Sequence, residues 1–418
     1  MTLSPPILGG AALPAELLAP VHGAAAALAA RGTGEGSRIA VDAPEPLPWL
    51  LGADLLGAAT LVLEPSWTPA ERAAVLADAA PDVVVTEAPE PTTARVEPRG
   101  HDRTAFYLAT TSGSSGTPKV LTRTRRSWLA SFAALGPAPG PVLIGGPLSS
   151  SLFLFGALHA LWSGAELRLR PRFEPREARA AATVHVVPAL LSTLLAERAP
   201  SALRKVVCGG AHVGDGLRER FARLLPHAEL VEYYGSAEHS LIALRHANGL
   251  RPVPGVELDV RDGVLWVRSP LAFSGYLHDG ALEPAPEWSS VGDRVERSAS
   301  GVLTVLGRGS ATVSSGGRLV AAEEVEAVLR AVPGVADVLV TGTPHPRLGE
   351  LVTAIVESDD SPSLRDLRAA AREGLAPGKR PRVWLATKAL PRTASGKPAR
   401  ARAAEQLRDG ILLAEPLR

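Results

Sequence analysis

Several features are scarce in this 418-residue sequence, and each scarcity narrows the possible functions. The single cysteine, Cys208, cannot form an internal disulfide, and no cluster of Cys and His has the spacing of a zinc site. The 44 basic and 43 acidic residues nearly cancel, which gives no reason to expect strong binding to nucleic acid or an anionic membrane. The start of the chain lacks the basic region of a signal peptide, and its apolar stretches are too short to span a membrane. We therefore expect a protein of the reducing cytoplasm.

The composition and the pattern of apolar residues predict a folded α/β protein. Hydrophobic residues make up 46% of the chain and charged residues 21%, as in typical globular proteins. At roughly 150 residues per domain, the length predicts two or three domains. Short apolar stretches such as 38–41 and 60–63 alternate with helical patterns such as 15–30 and 152–162. Strands that alternate with helices indicate a layered α/β fold.

The pattern changes twice toward the C-terminus. After Gly263, short strands with period-two alternation are separated by Gly, Pro and Asp, which predicts an antiparallel or barrel-like part. After Gly307, a compact unit of helices and strands follows that is long enough for an independent domain. The sequence thus predicts a large N-terminal α/β body with a barrel-like subdomain over residues 1–307. A small α+β C-terminal domain is predicted over residues 308–418.

Lysine is rare, because 39 of the 44 basic residues are Arg, and two of the five lysines lie in unusual Gly-containing segments. The first segment, Tyr107–Lys119 (YLATTSGSSGTPK), follows a predicted strand. Small residues let backbone N–H groups approach an anion, hydroxyls add donors and the ammonium adds charge, so the segment indicates a phosphate-binding loop. A flexible surface loop is the alternative. It is not a Walker A motif, because Thr117 and Pro118 separate Gly116 from Lys119.

The second lysine-containing segment is Pro391–Lys397 (PRTASGK), which by itself is more typical of a basic surface turn. Its combination with other segments in a fixed order is more specific. Between the two lie Glu232–Glu238 (EYYGSAE), Val291–Asp293 (VGD) and Gly307–Arg308. This order resembles the superfamily of adenylate-forming enzymes, which includes acyl-CoA synthetases, carrier-loading adenylation domains and luciferases. The resemblance covers nearly the whole chain.

The resemblance implies a two-step reaction. ATP activates a carboxylic acid to acyl-AMP with release of pyrophosphate, and the acyl group then passes to the thiol of CoA or of the phosphopantetheine on an acyl carrier protein. The small domain is implied to turn about a hinge between the steps. Two unit charges 4 Å apart repel by about 4 kcal/mol at an effective dielectric near 20, so attack of a carboxylate on ATP needs nearby cations. The resemblance supplies them as Mg²⁺ and a lysine.

The resemblance also implies a role for individual residues. Lys397 is the catalytic lysine that bridges the substrate carboxylate and the α-phosphate, and Glu238 is a catalytic residue that holds Mg²⁺. Tyr234 stacks on adenine, Asp293 accepts hydrogen bonds from the ribose hydroxyls, and Arg308 supports the nucleotide. For Glu238, Tyr234 and Asp293 the alternatives are a solvated helix start, a core position and a turn cap. The other implied nucleotide-binding residues are Thr111, Ser112, Gly113, Ser114, Ser115, Gly116, Thr117, Lys119, Gly235 and Ser236.

The acid is less well defined by the sequence. Candidates for the acyl pocket are Ser149, Phe153, His185, Gly209, Gly210 and Tyr233, although Phe153, on an apolar stretch, is more typical of a core position. Members that activate amino acids place an Asp near position 149, where this chain has Ser. Because an ammonium buried without a counter-charge is costly, we expect an apolar or hydroxylated acid rather than an α-amino acid. His159, His212 and His239 are predicted to be hydrogen-bonded or exposed rather than catalytic.

Four positions depart from the family pattern. Ser310 stands at the hinge position, which commonly holds Asp or Lys, and Ser314 stands at a second position that is usually Lys. Both changes concern the thioester step. Ala237 replaces a usual Thr, and Val120 replaces a usual Gly. Two alternatives therefore stay open: an enzyme that releases the adenylate or transfers it to an amine, and a non-catalytic relative that binds a nucleotide or an acyl group.

Overall fold

The computed structural model describes residues 4–111, 118–197, 201–211, 213–308, 311–315, 318–345, 349–358, 362–375, 377–393 and 396–417. Within these residues the α-helices are α1 (Ala15–Ala29), α2 (Pro46–Leu56), α3 (Pro69–Ala79), α4 (Arg125–Leu135), α5 (Ser151–Trp162), α6 (Pro175–Arg179), α7 (Pro188–Ala196), α8 (Asp215–Leu224), α9 (Ala322–Arg330), α10 (Leu364–Gly374) and α11 (Arg400–Arg408). The strands before Ser240 are β1 (Arg38–Val41), β2 (Ala59–Val62), β3 (Val83–Val85), β4 (Ala105–Thr111), β5 (Lys119–Thr124), β6 (Val142–Gly145), β7 (Leu167–Arg170), β8 (Thr183–Val186), β9 (Lys205–Cys208) and β10 (Glu229–Ser236). The later strands are β11 (Ser240–His246), β12 (Gly249–Pro252), β13 (Glu257–Arg261), β14 (Val264–Arg268), β15 (Gly275–His278), β16 (Ala281–Pro284), β17 (Asp293–Arg297), β18 (Leu303–Arg308), β19 (Thr312–Ser315), β20 (Arg318–Ala321), β21 (Asp337–His345), β22 (Gly349–Glu357), β23 (Val383–Thr387) and β24 (Glu415–Pro416).

Two sheets form the N-terminal body. Among the described residues, the first sheet has the order β16-β15-β5-β4-β2-β1-β3, and the second has the order β13-β14-β17-β18-β12-β11-β10-β9-β8-β6-β7. Strands β7, β6, β8, β9 and β10 run parallel, whereas β11 turns back against β10. The antiparallel part of the second sheet thus begins at β11, earlier than the predicted change after Gly263, and of the strands after Gly263, β15 and β16 join the first sheet instead. The carboxyl ends of β8, β9 and β10 lie at one edge, where ligands bind in open α/β sheets.

Helix α5 lies in the main core, which contains buried residues from strands of both sheets. Its sequence, SLFLFGALHALW, is apolar on all sides, and every residue from Phe153 to Leu161 is buried. A helix of this kind needs packing partners all around. The position of α5 carries Phe153, Gly156 and His159 into the interior, on the face of β8 that bears His185.

The C-terminal sheet has its own core. Its described strands have the order β20-β19-β22-β23-β24, and β21 pairs with β22. Helix α9 places Val325 and Leu329, four residues apart, on this core, while its first turn carries Glu323 and Glu324. The predicted fold class, a large α/β body with a smaller C-terminal domain, is confirmed. The boundary after Gly307 stays a prediction. Within the described residues, none of the helices combines the length and apolar character that a bilayer-crossing segment needs.

Candidate active site

Three of the predicted nucleotide-binding residues meet near the ends of β10 and β18 and the start of β17. The hydroxyl of Tyr234 donates a hydrogen bond to Oδ2 of Asp293. Asp293 is buried, and its backbone pairs with that of Arg308 across β17 and β18. The structure therefore brings an aromatic ring, a carboxylate and the backbone of Arg308 to one place, although they are up to 74 residues apart in the sequence.

The turn after Tyr234 depends on glycine. A Cβ atom at Gly235 would lie 1.9 Å from the carbonyl oxygen of Ser240, so no larger residue fits there. The next residue, Ser236, accepts a hydrogen bond from the backbone N–H of His239 at 3.2 Å. The buried His239 ring contacts the hydroxyls of Ser236 and Ser289 at 3.2 and 2.8 Å. It is a hydrogen-bonded core histidine, as the sequence predicts, whereas His212 lies outside the described residues.

The phosphate-binding segment is joined to Glu238 through Tyr276. Thr111 and Lys119 are cross-strand partners at the ends of β4 and β5, and residues 112–117 lie outside the described residues. The ammonium of Lys119 lies 5.2 Å from the centre of the Tyr276 ring, a cation–π contact. The hydroxyl of Tyr276 donates to Oε1 of Glu238 at 3.1 Å. The ammonium of Lys119 and the carboxylate of Glu238, which come from distant segments of the sequence, thus both contact Tyr276.

Glu238 has the surroundings expected of a single-carboxylate Mg²⁺ ligand. The residue is buried, yet it lines a cavity of about 260 Å³ together with Phe273, Tyr276 and Ser289. No group of three or more His, Cys, Asp and Glu residues that could enclose a metal occurs among the described residues. Mg²⁺ commonly uses one or two carboxylates and takes its remaining ligands from substrate phosphates and water. Glu238 therefore fits Mg²⁺ that arrives with ATP.

Arg123 supports this turn, and the sequence analysis did not identify it. Its Nη1 donates to the carbonyl oxygens of Ala237 and Glu238 at 2.5 and 3.1 Å, and its Nη2 donates to the carbonyl of Leu271. The side chain is fully buried, and this burial lowers the pKa of its guanidinium to about 9, while Glu238 raises it. An arginine at a core position of strand β5 is the signal that could have revealed it.

A tight hairpin presents Lys397. The N–H of Thr393 donates to the carbonyl of Lys397 at 2.8 Å, and the N–H of Gly396, which has φ +80°, donates to the carbonyl of Thr393 at 2.8 Å. Nη1 of Arg392 donates to the carbonyl of Gly396 at 2.9 Å. The same guanidinium binds Asp337 at 3.0 Å and both carboxylate oxygens of Glu357 at 2.9 and 2.8 Å. Arg392 therefore fixes the hairpin to the C-terminal sheet.

The side chain of Lys397 reaches the N-terminal body at Gly210. A Cβ atom at Gly210 would lie 2.6 Å from Nζ and 2.8 Å from Cε of Lys397. Gly210 follows the carboxyl end of β9 and has φ +82°, a conformation that favours glycine. Burial, and then Glu232, raise the pKa of the neighbouring Cys208 thiol, whereas the charge of Lys397 lowers it. The cysteine is buried in the core, as expected.

The predicted acyl-pocket residues do not all lie together: Tyr233, Gly209 and His185 lie on or beside the second sheet, whereas Phe153 packs in the core. Tyr233 lies over Gly209, because a Cβ there would be 2.2 Å from the ring, and His185 is buried beside α5. Burial raises the pKa of the Tyr233 hydroxyl. Phe153 is only 2% exposed and packs over Gly146, which makes it a core residue. The hydroxyl of Ser149 donates to Oε2 of Glu64 at 2.6 Å, a carboxylate that the sequence analysis did not place there.

The comparison with protein families decides the assignment. The AMP-binding enzyme family matches residues 15–105 and 87–277, and the AMP-binding enzyme C-terminal domain matches residues 324–397. The chain belongs to the AMP-binding enzyme family. This confirms the resemblance to adenylate-forming enzymes and the prediction of an AMP-forming ligase.

Similar proteins agree with this assignment. The AMP-binding enzyme is 29% identical to the uncharacterized acyl-CoA ligase YhfT of Bacillus subtilis, over 90% of this chain and 89% of that protein. It is 26% identical to the amide bond synthetase McbA of Marinactinospora thermotolerans, with a TM-score of 0.81 and 95% of each chain covered. The o-succinylbenzoate CoA synthetase (MenE) of Bacillus subtilis, solved with its acyl-adenylate intermediate, shares the fold with a TM-score of 0.81 at 23% identity, over 93% of this chain and 92% of that one.

Gly210 provides a test of the contact with Lys397. We expect Gly210→Ala to slow acyl-AMP formation by about tenfold, because the new methyl group would lie only 2.6 Å from Nζ of Lys397 and φ +82° would strain alanine. The rate of acid-dependent pyrophosphate exchange measures this. Gly216→Ala is the matched control, since a Cβ at Gly216 in α8 meets nothing within 4 Å. Equal rates for the two variants would contradict the proposed contact.

Proposed function

We propose that this AMP-binding enzyme activates a carboxylic acid with ATP to acyl-AMP, releases pyrophosphate, and then transfers the acyl group to the thiol of CoA with AMP as the leaving group. The observation that carries the proposal is the position of Lys397 against Gly210, at the carboxyl edge of the second sheet. The relatives named acyl-CoA ligase and 2-succinylbenzoate–CoA ligase support the choice of a thiol acceptor. A carrier-protein phosphopantetheine would meet the same chemical requirement.

In the first step, a carboxylate oxygen attacks the α-phosphorus of ATP and pyrophosphate leaves. The Lys397 ammonium binds the carboxylate and an α-phosphate oxygen, which offsets their mutual repulsion. Tyr234 stacks on adenine and Asp293 accepts from the ribose hydroxyls, with Arg308, Gly235 and Ser236 beside them. The segment from Thr111 to Lys119 binds the leaving pyrophosphate.

Glu238 is proposed to hold Mg²⁺, which neutralises charge on the phosphates when it is bound. Its isosteric replacement, Glu238→Gln, keeps a partner for the Tyr276 hydroxyl but removes the charge. We expect the Mg²⁺ concentration for half-maximal adenylation to rise by about tenfold, because a neutral amide binds a hard cation less well than a carboxylate does. Titration of Mg²⁺ at saturating ATP measures the change. An unchanged midpoint would exclude Glu238 as a ligand.

The acid is proposed to be apolar or hydroxylated. Tyr233, His185, Gly209 and Gly210 lie on or beside the face of the second sheet that leads to Lys397. His185 is buried and its pKa is held well below its usual value by burial, so it carries no charge for an acidic group on the acyl chain. Both oxygens of Glu64 already accept hydrogen bonds, from Ser149 and the backbone of Ser66.

An amine acceptor is the second candidate. The similarity to an amide bond synthetase over 95% of each chain favours it, together with Ser310 and Ser314 at the two positions that concern the thioester step. Ser310 lies outside the described residues, and Ser314 lies on β19. Because adenylation is common to both candidates, only the second step separates them.

Two measurements test the proposal in order. Acid-dependent pyrophosphate exchange across a broad acid panel should reveal adenylation, and no exchange with any acid would favour a binding role. CoA, a phosphopantetheinylated carrier or an amine is then added separately, and the product is identified by mass spectrometry. We expect the acyl-CoA. If only the amide forms, the acceptor is an amine and not a thiol. If free acyl-AMP is released, the enzyme carries out adenylation without a transfer step.

A further inference from the structure

Two buried histidines form a hydrogen-bonded pair that the adenylation mechanism does not use. His159 from α5 is 0% exposed and His185 from β8 is 2% exposed. Nε2 of His159 lies 2.8 Å from the carbonyl oxygen of Gly136, and its Nδ1 lies 3.3 Å from Nε2 of His185. A chain of hydrogen bonds therefore runs from the carbonyl of Gly136 to the ring of His185.

The carbonyl of Gly136 fixes the direction of this chain. A carbonyl only accepts, so Nε2 of His159 carries the proton. Burial lowers the pKa of His159 to about 4 and that of His185 well below its usual value, and Lys205 lowers both further. Both rings are therefore neutral. Nδ1 of His159 must accept from Nε2–H of His185, which leaves Nδ1 of His185 with an acceptor lone pair.

His185 lies on the sheet face that leads to Lys397. His185 pairs with Val207 of β9, and Val207 pairs with Val231 of β10. Tyr233 lies two residues after Val231, so its side chain is on the same face of the sheet as that of His185. Gly210, which the Lys397 side chain contacts, lies three residues after Val207, just beyond the end of β9. The His185 side chain makes its hydrogen bond through Nε2, to His159. Within the part of the chain that the structure describes, no group donates a hydrogen bond to its Nδ1.

We propose that Nδ1 of His185 accepts a hydrogen bond from a hydroxyl group on the acyl chain of the substrate, and that His159 and Gly136 hold His185 in the tautomer that accepts. The inference rests on the proposed function and narrows its acid from apolar or hydroxylated to hydroxylated. His159 acts through His185 and is a positioning residue.

Matched pairs of acids test the inference. Acyl-AMP formation is measured for unbranched ω-hydroxy acids from hydroxyhexanoate to hydroxydodecanoate, each against its unsubstituted parent. We expect a preference for the hydroxy acid that reaches about tenfold at one chain length and falls on either side, because only that length brings the hydroxyl to Nδ1. Acyl-AMP from both acids at equal rates at every length would overturn the inference alone. No acyl-AMP from any acid would contradict the proposed function instead.

Variants separate acceptance by His185 from a general effect on the pocket. In His185→Phe the ratio of hydroxy acid to parent should fall to about one at every length, because the ring has no acceptor. In His159→Phe, Nε2 of His185 loses its acceptor, so the ring is free to carry its proton on Nδ1. Nδ1–H can then donate to the methyl ether of the preferred hydroxy acid, which only accepts, so this ether should gain relative to the hydroxy acid and approach its rate.

The exposed His246 on β11 provides the control, and His246→Phe should keep the original ratio. A ratio that survives in His185→Phe would overturn the inference. This ratio also decides the outcome if His159→Phe does not fold.

Discussion

Lys397→Ala is expected to slow acyl-AMP formation by about 10²–10³-fold, the usual effect of removing one preorganised charge from a site of developing charge. Nζ of Lys397 lies 2.6 Å from the position that a Cβ of Gly210 would take, just beyond the carboxyl end of β9, and its charge acts on the buried thiol of Cys208. Alanine leaves the repulsion between the carboxylate and the α-phosphate unscreened. Single-turnover formation of acyl-AMP at saturating ATP and Mg²⁺ measures the loss.

The same variant should retain most of the second step. When acyl-AMP is supplied, transfer to CoA should fall much less, because the lysine is needed where the carboxylate meets ATP. Lys388→Ala is the matched control, since Lys388 is an exposed lysine of the same domain. Equal losses in both steps would contradict the role of Lys397.

Arg392→Lys is expected to reduce the rate constant of adenylation by about 10²-fold with little change in the KM for ATP. The arginine side chain binds Gly396, Asp337 and Glu357 at once, and lysine cannot reproduce this planar set of donors. The hairpin that carries Lys397 would then lose its fixed position, and a displacement of 1 Å at a reacting group can cost about 10²-fold. Initial rates over a range of ATP concentrations separate the two constants.

A double-mutant cycle shows whether Arg392 acts through Lys397. Arg392→Lys combined with Lys397→Ala should be no slower than Lys397→Ala alone, because the group that Arg392 positions is already absent. Arg372→Lys, an exposed arginine on α10, controls for the substitution itself. Additive losses in the double variant would show that Arg392 supports the enzyme in some other way.

Much of the fold followed from the sequence because its signals are local. Strand β1 was predicted at its observed bounds, and α5 and β9 within one residue at either end, since apolar periodicity and flanking Gly and Pro residues define these elements. The change of pattern after Gly307 also predicted a separate C-terminal domain, and the C-terminal sheet has a core of its own. Strand β21 is longer than predicted, extending to His345, because its pairing with β22 continues beyond the apolar stretch.

The site was predictable only where a motif marks it. Tyr234 and Asp293, from two of the quoted motifs, lie together, and Lys397 of a third motif reaches Gly210, while their roles toward the nucleotide stay predictions. Arg123 and Arg392 were missed because their roles arise from long-range contacts to carbonyls and carboxylates, which no local pattern encodes. The pairing of His159 with His185 depends on the packing of α5 against β8, and the sequence spacing of 26 residues gives no sign of it.

The central claim is that the segment ending at Lys119 and the distant Lys397 bind the same nucleotide at opposite ends of its phosphates. A crystal structure with a bound acyl-sulfamoyl adenosine, a stable analogue of acyl-AMP, tests it most directly. We predict the adenosine beside Tyr234 and Asp293, and the ammonium of Lys397 within hydrogen-bond distance of the group that replaces the phosphate. An analogue bound elsewhere, or a lysine that does not reach it in the adenylation arrangement of the domains, would contradict the account.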